Sequence, residues 1–262
     1  MKGLFLFIGE AFRFGSQNTK IRGIEQSYEE QIKASKSHIQ LIKKIEEKYQ
    51  LEKSDVVINS YNTQYNESLL KIYNDFLINC TFNISLIGLN NLFHNCINDI
   101  QNSEIYDFVF YIRIDLFLKD LFFEIIDINQ DKILFPSICW FKDCMYKSYP
   151  RINDMMIFIP KQYYSKIQYI NVYHDAWYKL VKYGNMKNED IDLIINTFHD
   201  SDSEKDYNPL YYIVNRDEST TWHSPGKIFN KNDFLRFIQL KKNANNTNNI
   251  SNINNINNNN IM

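Results

Sequence analysis

Residues 105–119 read IYDFVFYIRIDLFLK, and this stretch decides the fold that we expect. Its apolar run, residues 108–112, is short and rich in Phe, Tyr, Val and Ile, which is typical of a strand buried on both faces. Arg113 and Asp115 follow at once, and continued strand geometry would place both side chains on one face. Because charges are costly inside a sheet, we expect this pair just beyond the carboxyl end of the strand, where open α/β sheets bind ligands.

The rest of the first half alternates between strand patterns and helical patterns. Residues 4–8 form an apolar strand pattern that leads into a glycine-bracketed loop, residues 9–15. Further strand patterns cover residues 55–59 and 82–87, and helical patterns cover residues 28–49, 69–77 and 89–100. In the first helix, Ile32 and Ile39 fall on the predicted apolar face. This alternation predicts an α/β fold with a mostly parallel, doubly wound sheet flanked by helices.

The second half is less regular and predicts a mixed α+β arrangement. Strand patterns cover residues 132–135, 155–159 and 210–215, and helical patterns cover residues 161–170 and 174–183 and begin again at Asn188. From residue 243 to residue 262 the chain is almost entirely Asn and Ile, a composition typical of disorder. We therefore expect one α/β domain over residues 1–242 and a disordered Asn-rich tail over residues 243–262.

Composition limits the classes of function. Hydrophobic residues make up 44% and aromatic residues 15% of the 262 residues, which is enough for a large core. The formal charge of −2, without a basic stripe, argues against binding nucleic acid by bulk electrostatics. The four cysteines form no close pair, which favours buried thiols over a zinc site. No apolar run is long enough to cross a bilayer and no signal peptide is evident, so we expect a soluble, cytoplasmic protein.

Three polar segments follow predicted strands and would meet at one edge of a parallel sheet. They are Gly9, Glu10 and Arg13 after the first strand, Tyr61 and Asn62 after the second, and Arg113 and Asp115 after the central strand. Such an edge suits a diphosphate, because arginine side chains form paired hydrogen bonds with phosphate oxygens. The Asp115 carboxylate is a suitable ligand for Mg²⁺ or Mn²⁺, and Gly9 would allow close backbone approach to a nucleotide. The alternative is that Arg113 and Asp115 form a structural ion pair where the sheet ends.

These segments resemble those of the GT-A type glycosyltransferases. The resemblance is carried by Gly9-Glu10-x-x-Arg13, by the second strand from Val56 to Tyr61, and by Tyr106-Asp107 followed by Arg113-x-Asp115-Leu116. The chain is similar in particular to the bacterial and viral enzymes of lipopolysaccharide synthesis. The likeness extends over residues 3–160 and more loosely to Arg216.

The resemblance implies a GT-A-like, Rossmann-like fold with a nucleotide-binding half, residues 1–120, and an acceptor half, residues 121–242. It implies a nucleotide-sugar donor under the loop after the first strand, and a phosphate or metal role for Asp115. Arg113 stands where the Asp-x-Asp motif of the fold has its first Asp. A cation there would partly replace a divalent ion, so the resemblance leaves open whether Mn²⁺ or Mg²⁺ is needed.

The acceptor half offers fewer candidates. Asp154 precedes the strand pattern at residues 155–159, and in GT-A proteins a comparable strand is antiparallel, which would bring its start to the active edge. Asp154 is then a candidate catalytic base that takes a proton from the acceptor hydroxyl; a strand cap is the alternative. Glu189 and Asp190 resemble acid pairs near the acceptor, although an ordinary helix start explains them equally well.

Two hypotheses of different classes follow. The first is a glycosyltransferase that moves a sugar from a nucleoside-diphosphate donor to a hydroxyl acceptor on a glycan, lipid or protein, with Arg113 stabilising the leaving group. The second is a non-catalytic protein of the same fold that binds a nucleotide or glycan or serves as an interaction protein. If the chain is viral, we expect it in the host cytoplasm.

Overall fold

The structure is a computed structural model that describes the greater part of the chain. The described residues are 1–15, 20–98, 105–136, 145–146, 149–150, 152, 155–172, 175–194 and 210–214. Within them, every helix is too short or too polar to span a bilayer. The predicted Asn-rich tail and Asp154 lie outside the described residues.

The described residues contain thirteen strands, five α-helices and three 3-10 helices. The strands are β1 (Gly3–Ile8), β2 (Arg13–Phe14), β3 (Ile21–Arg22), β4 (Asp55–Tyr61), β5 (Leu77–Asn83), β6 (Phe108–Arg113), β7 (Leu116–Leu118), β8 (Ile133–Phe135), β9 (Met145–Tyr146), β10 (Tyr149–Pro150), β11 (Met156–Pro160), β12 (Ile191–Leu193) and β13 (Tyr211–Ile213). The α-helices are α1 (Tyr28–Tyr49), α2 (Asn66–Tyr73), α3 (Leu89–Asn98), α4 (Asp120–Ile125) and α5 (Ala176–Lys182). The 3-10 helices are Glu25–Ser27, Lys161–Tyr169 and Asn188–Asp190.

Seven strands form one sheet in the order β12-β8-β11-β6-β1-β4-β5. Neighbouring strands β5, β4, β1 and β6 run parallel, whereas β11 is antiparallel to both β6 and β8. The predicted α/β fold with a mostly parallel sheet is therefore confirmed. Ile8 of β1 lies opposite Asn59 of β4 and opposite Arg113 of β6, so β1 and β6 end at one level and β4 continues for two residues, to Tyr61.

Both faces of the central strands are buried, which explains why they read as continuous apolar runs. On one face, the ring of Phe7 stacks on the ring of His38 in α1, with 4.4 Å between the centroids. On the other face, the ring of Tyr111 meets Phe93 of α3 edge-on at 5.2 Å. All six residues of β1 are buried. The sheet is thus the middle of three layers, as a doubly wound fold requires.

Two elements at the edges of the sheet differ from the sequence prediction. The third strand, β5, spans Leu77–Asn83 and not residues 82–87, because its pairing with β4 begins at Val56 and Leu77. The helix expected from Asn188 is a single 3-10 turn, in which the Asp190 carboxylate accepts a hydrogen bond of 3.1 Å from the Lys187 amide. The chain then continues as β12, which adds to the sheet beside β8. β5 and β12 are the two edge strands of the sheet, and polar residues interrupt their apolar runs.

Candidate functional site

The loops that follow β1, β4 and β6 begin at the same edge of the sheet, which we call the rim. The Gly9 amide donates to the Asn59 carbonyl over 3.1 Å, and the Ile114 amide donates to the Ile8 carbonyl over 3.0 Å. The carboxyl ends of parallel strands are where open α/β sheets bind ligands. The structure thus places Gly9, Glu10 and Arg13 beside Arg113 and Asp115.

The loop after β1 is held in an unusual backbone conformation. Gly9 has φ +132° and Phe12 has φ +52°, and the latter value is costly for a residue with a large side chain. The Phe12 ring is fully buried and packs against the rings of Tyr28 and Tyr65, at 5.9 and 5.2 Å. The Ser60 hydroxyl donates to the Gly9 carbonyl over 2.8 Å. These contacts fix the backbone from which the Arg13 side chain extends.

Arg13 is a buried cation with unused hydrogen-bond donors. Its side chain is 7% exposed, and one terminal nitrogen, Nη1, lies 3.3 Å from Glu10 Oε2. The Nε and Nη2 atoms are buried and have no hydrogen-bond partner among the described residues. Burial lowers the pKa of Arg13, while the charges of Glu10 and Asp115 oppose that shift and the charge of Arg113 adds to it. Arg13 therefore lies within electrostatic reach of both Arg113 and Asp115.

Arg113 and Asp115 form a two-point ion pair. The distance from Arg113 Nε to Asp115 Oδ1 is 2.9 Å, and that from Nη2 to Oδ2 is 2.5 Å. Asp115 is 1% exposed, so this pair is shielded from water. The remaining terminal nitrogen of Arg113, Nη1, lies 3.1 Å from the Met155 sulfur. The structural ion pair that the sequence left as an alternative is present, and the pair is at the rim.

Glu10 holds two further cations that the sequence analysis did not single out. Its Oε1 atom accepts hydrogen bonds from Lys20 Nζ at 3.0 Å and from Arg22 Nη2 at 2.8 Å. Burial raises the pKa of Glu10, but the hydrogen bonds from Lys20 and Arg22 outweigh it and leave the pKa below its usual value. Residue 22 reaches this position because β3 pairs with β2 in a short hairpin that sets Arg22 opposite Arg13. The signal in the sequence was the pair of basic residues flanking Ile21, just beyond the loop.

Tyr61 and Asn62 both lie at the end of β4 but have different surroundings. The Tyr61 ring carries the Arg22 guanidinium at 4.5 Å from its centroid, and the Tyr61 hydroxyl donates to the Ile87 carbonyl. Tyr61 thus packs against Arg22, one of the two cations that Glu10 holds. Asn62 is exposed, and its side-chain oxygen accepts a hydrogen bond of 2.7 Å from Asn66 at the start of α2.

The acceptor candidates are divided between the two edges of the sheet. Met155, the residue after Asp154, lies at the rim, where its carbonyl accepts a hydrogen bond of 2.9 Å from the Arg113 amide. Glu189 and Asp190 precede β12, which runs in the same direction as β6, so both lie at the opposite, amino edge. There the Asp190 carboxylate accepts a hydrogen bond of 3.2 Å from the Tyr163 hydroxyl. Of the two alternatives that the sequence left open for Glu189 and Asp190, acids near an acceptor or the ordinary start of a helix, the structure places both residues in a 3-10 turn at the edge opposite Arg113.

The described residues do not fit a divalent ion at Asp115. Both of its carboxylate oxygens accept hydrogen bonds from Arg113. The described part of the chain also contains no group of three His, Cys, Asp or Glu side chains arranged to hold a metal. What the rim does offer is positive charge: four basic side chains, Arg13, Lys20, Arg22 and Arg113, surround two acidic ones, Glu10 and Asp115. Among the described side chains of the rim, two positive charges are in excess, which suits an anion with two or more charges.

No protein-family model and no curated protein sequence matches this chain. Among solved structures, a Drosophila β1,4-galactosyltransferase 7 variant in complex with manganese, UDP-Gal and xylobiose aligns at 9% identity with a TM-score of 0.43, covering 90% of this chain and 79% of that one. The galactosyltransferase LgtC, in complex with donor and acceptor sugar analogues, aligns at 9% identity with a TM-score of 0.37, covering 74% of this chain and 73% of that one. Both neighbours are of the enzyme class that the sequence motifs resemble, and the likeness is distant.

Proposed function

We propose that this chain is a glycosyltransferase that moves a sugar from a nucleoside-diphosphate donor to a hydroxyl acceptor. The observation that carries the proposal is Arg13, a buried guanidinium at the rim with two nitrogen atoms, Nε and Nη2, that donate to no described residue. Buried donors are rarely left without partners in folded proteins, and a partner supplied by a ligand is one way to satisfy them. A diphosphate supplies several strong acceptor oxygens and compensates the excess positive charge.

The side chains at the rim have separate parts in the proposed reaction. Arg13 donates to the diphosphate through Nε and Nη2, and Arg113 supplies positive charge where the leaving group gains negative charge. Glu10 and Asp115 hold the basic side chains in place and keep their charges from repelling one another. Gly9 lets the backbone approach the nucleotide, and Tyr61 and Asn62 border the same space. Most of the rate enhancement would then come from positioning and from fixed charge.

In the proposed reaction, arginine side chains supply positive charge at the diphosphate. The two oxygens of Asp115 face a guanidinium, which supplies the compensating charge that Mn²⁺ or Mg²⁺ would bring to a diphosphate.

Asp154 is the base that we propose for an inverting reaction, and Met155 beside it in the sequence lies at the rim. An Asp154→Asn variant should then lose kcat while it keeps its affinity for the donor.

The proposal is tested by the release of nucleoside diphosphate from a panel of UDP- and GDP-sugars, offered with and without simple sugar acceptors. We expect turnover by the native chain and a loss of ten- to a hundredfold, roughly, in Asp115→Asn, because the Arg113 guanidinium loses its fixed orientation. Asp192→Asn is the matched control, since Asp192 is exposed and pairs only loosely with Lys132, at 3.4 Å. Equal rates for the two variants would contradict the proposed role of the Arg113–Asp115 pair.

A non-catalytic nucleotide- or glycan-binding protein is the second candidate. It is favoured by the Arg113–Asp115 pair, because a carboxylate that is fully engaged by an arginine has the geometry of a structural ion pair. This candidate and the first differ in one outcome. Well-folded protein that binds a donor sugar but releases no nucleoside diphosphate with any acceptor would be a binding protein.

A further inference from the structure

Helix α1 contains a buried polar residue, Gln31, that touches both loops of the candidate site. Gln31 is 0% exposed. Its side-chain oxygen accepts a hydrogen bond of 3.2 Å from the Phe12 amide, and its side-chain nitrogen donates to the Ile114 carbonyl over 2.7 Å. One amide group therefore spans the loop after β1 and the turn after β6.

The two backbone groups that Gln31 joins lie next to the charged residues of the site. Phe12 directly precedes Arg13, and Ile114 lies between Arg113 and Asp115. A shift of either segment relative to the other would change the spacing between the Arg13 guanidinium and the Arg113–Asp115 pair. No other described side chain is hydrogen-bonded to both Phe12 and Ile114.

Other contacts fix each loop by itself. The Phe12 carbonyl accepts a hydrogen bond of 2.9 Å from the Gly23 amide, and the Asp115 carbonyl accepts one of 2.9 Å from the Val214 amide. His38, two turns after Gln31 in α1, holds the Leu116 carbonyl at 2.7 Å. The hydrogen bond from the Ile114 amide to the Ile8 carbonyl joins the two segments where the strands end, and Gln31 joins them again farther out, next to Arg13.

We propose that Gln31 is a positioning residue that sets the distance between Arg13 and the Arg113–Asp115 pair, so that both arginines engage one diphosphate group. This inference rests on the proposed function, because it supposes that the rim binds a diphosphate. Gln31 itself touches no ligand; it acts through the backbone of its two neighbours. A displacement of about 1 Å between binding groups is enough to cost a large part of their joint effect.

The test compares Gln31→Met with Ser37→Ala. Methionine fills the same space but neither accepts from Phe12 nor donates to Ile114. Ser37 is also buried in α1, where its hydroxyl accepts a hydrogen bond of 3.0 Å from the Leu118 amide, three residues beyond Asp115. Both variants lose a hydrogen bond between α1 and the segment after β6, but only Gln31→Met releases the loop that carries Arg13.

The affinity for inorganic diphosphate and for UDP is measured by calorimetry at a temperature where all variants are folded. We expect Gln31→Met to weaken binding by roughly ten- to a hundredfold and Ser37→Ala to change it by less than about threefold. In an Arg13→Ala background, the Gln31 change should weaken binding by no more than about twofold, because the spacing no longer matters. A residue with a merely structural role would weaken binding by the same factor in both backgrounds.

The outcomes separate the two proposals. If the native chain binds neither diphosphate nor UDP, the proposed function fails and the role of Gln31 fails with it. If the native chain binds and Gln31→Met binds as well as Ser37→Ala, the proposed function stands and the positioning role is overturned. Should Gln31→Met not fold, Gln31→Leu replaces it, since its uncharged side chain neither accepts from Phe12 nor donates to Ile114; native affinity in that variant also overturns the inference.

Discussion

Two nitrogen atoms of Arg13 without hydrogen-bond partners among the described residues are an energetic liability for the folded chain. A buried donor left unsatisfied costs about 1–3 kcal/mol, and the burial of charge adds to that cost. Glu10 compensates the charge only through Nη1, at 3.3 Å. Because Arg13 is costly for folding and lies at the rim, a role in binding explains it better than a role in stability.

The first prediction is that Arg13→Met separates stability from binding. Methionine removes the unsatisfied donors, so we expect the free energy of unfolding to stay within about 1 kcal/mol of the native value or to rise. Affinity for inorganic diphosphate should fall at least about tenfold, because a charge-assisted contact is lost. Urea denaturation and calorimetry measure the two effects. Lys33→Met, which removes an equal charge from an exposed ion pair with Glu30, serves as the control.

His38 is a second buried polar residue, and its protonation state follows from its neighbours. Its Nε2 atom lies 2.7 Å from the Leu116 carbonyl, which only accepts, so Nε2 carries the hydrogen. Its Nδ1 atom, at 2.6 Å, then accepts from the Tyr73 hydroxyl. Burial lowers the pKa of His38 from 6.5 to about 3, against smaller opposing effects of Leu116 and Asp115. The neutral ring is therefore part of the folded state.

The second prediction is that acid destabilises the chain through His38. In the unfolded chain His38 gains a proton near pH 6.5, whereas in the folded chain it does so only near pH 3. The stability it contributes is thus fully present above pH 6.5 and falls below it, by up to ~1.4 kcal/mol per pH unit. Urea denaturation at pH 7 and pH 5 measures the slope. His38→Gln, which keeps a donor and an acceptor but has no proton to gain, should show a smaller slope; equal slopes would refute the assignment.

At the scale of the elements, helix α1 shows what an apolar pattern reveals and what it misses. Its bounds agree with the predicted helix, but the prediction placed Ile32 and Ile39 on the buried face, and both are only partly buried. The structure buries Gln31 and His38 in their place. The reason is that α1 covers backbone carbonyls beyond β6 that need hydrogen-bond donors. A polar residue on a buried face depends on its tertiary partner, which local periodicity cannot disclose.

Strand β1 provides the third prediction, through Gly3. A Cβ atom at this position would lie 2.3 Å from the nearest ring atom of Phe108, the residue opposite it in β6. We expect Gly3→Ala to lower the free energy of unfolding by about 1–3 kcal/mol, because a close-packed core does not yield to an added methyl group. Denaturant unfolding measures the loss. A Phe108→Leu change in the same chain should recover part of it, and strictly additive effects would contradict this contact.

At the scale of the whole molecule, parallel topology is what made the rim predictable. Once β1, β4 and β6 are parallel neighbours, their carboxyl ends must share an edge, so Arg13, Arg113 and Asp115 come together. The contributions of Lys20 and Arg22 were not predicted, because they depend on a hairpin with only two residues in each strand. The edge strand β12 was missed for a related reason, since its three residues are too short to show a period. Long buried elements can therefore be predicted from the sequence, whereas short elements at the edge of the sheet cannot.

The last prediction concerns the electrostatics of the molecule. The chain carries a formal charge of −2, yet the described side chains at the rim have two positive charges in excess, so we expect the rim to attract a diphosphate despite the overall negative charge. The fixed positive charge comes from arginine and lysine side chains. We therefore expect inorganic diphosphate to raise the melting temperature of the protein by several degrees even in EDTA, which removes divalent ions. At a ligand concentration about 100 times Kd, binding adds roughly 2.7 kcal/mol of stability. The shift should shrink as the salt concentration rises from about 0.05 to 0.5 M, because partly exposed charges are screened. If the melting temperature rises only when Mn²⁺ replaces EDTA, a divalent ion holds the diphosphate, and Arg13 and Arg113 do not.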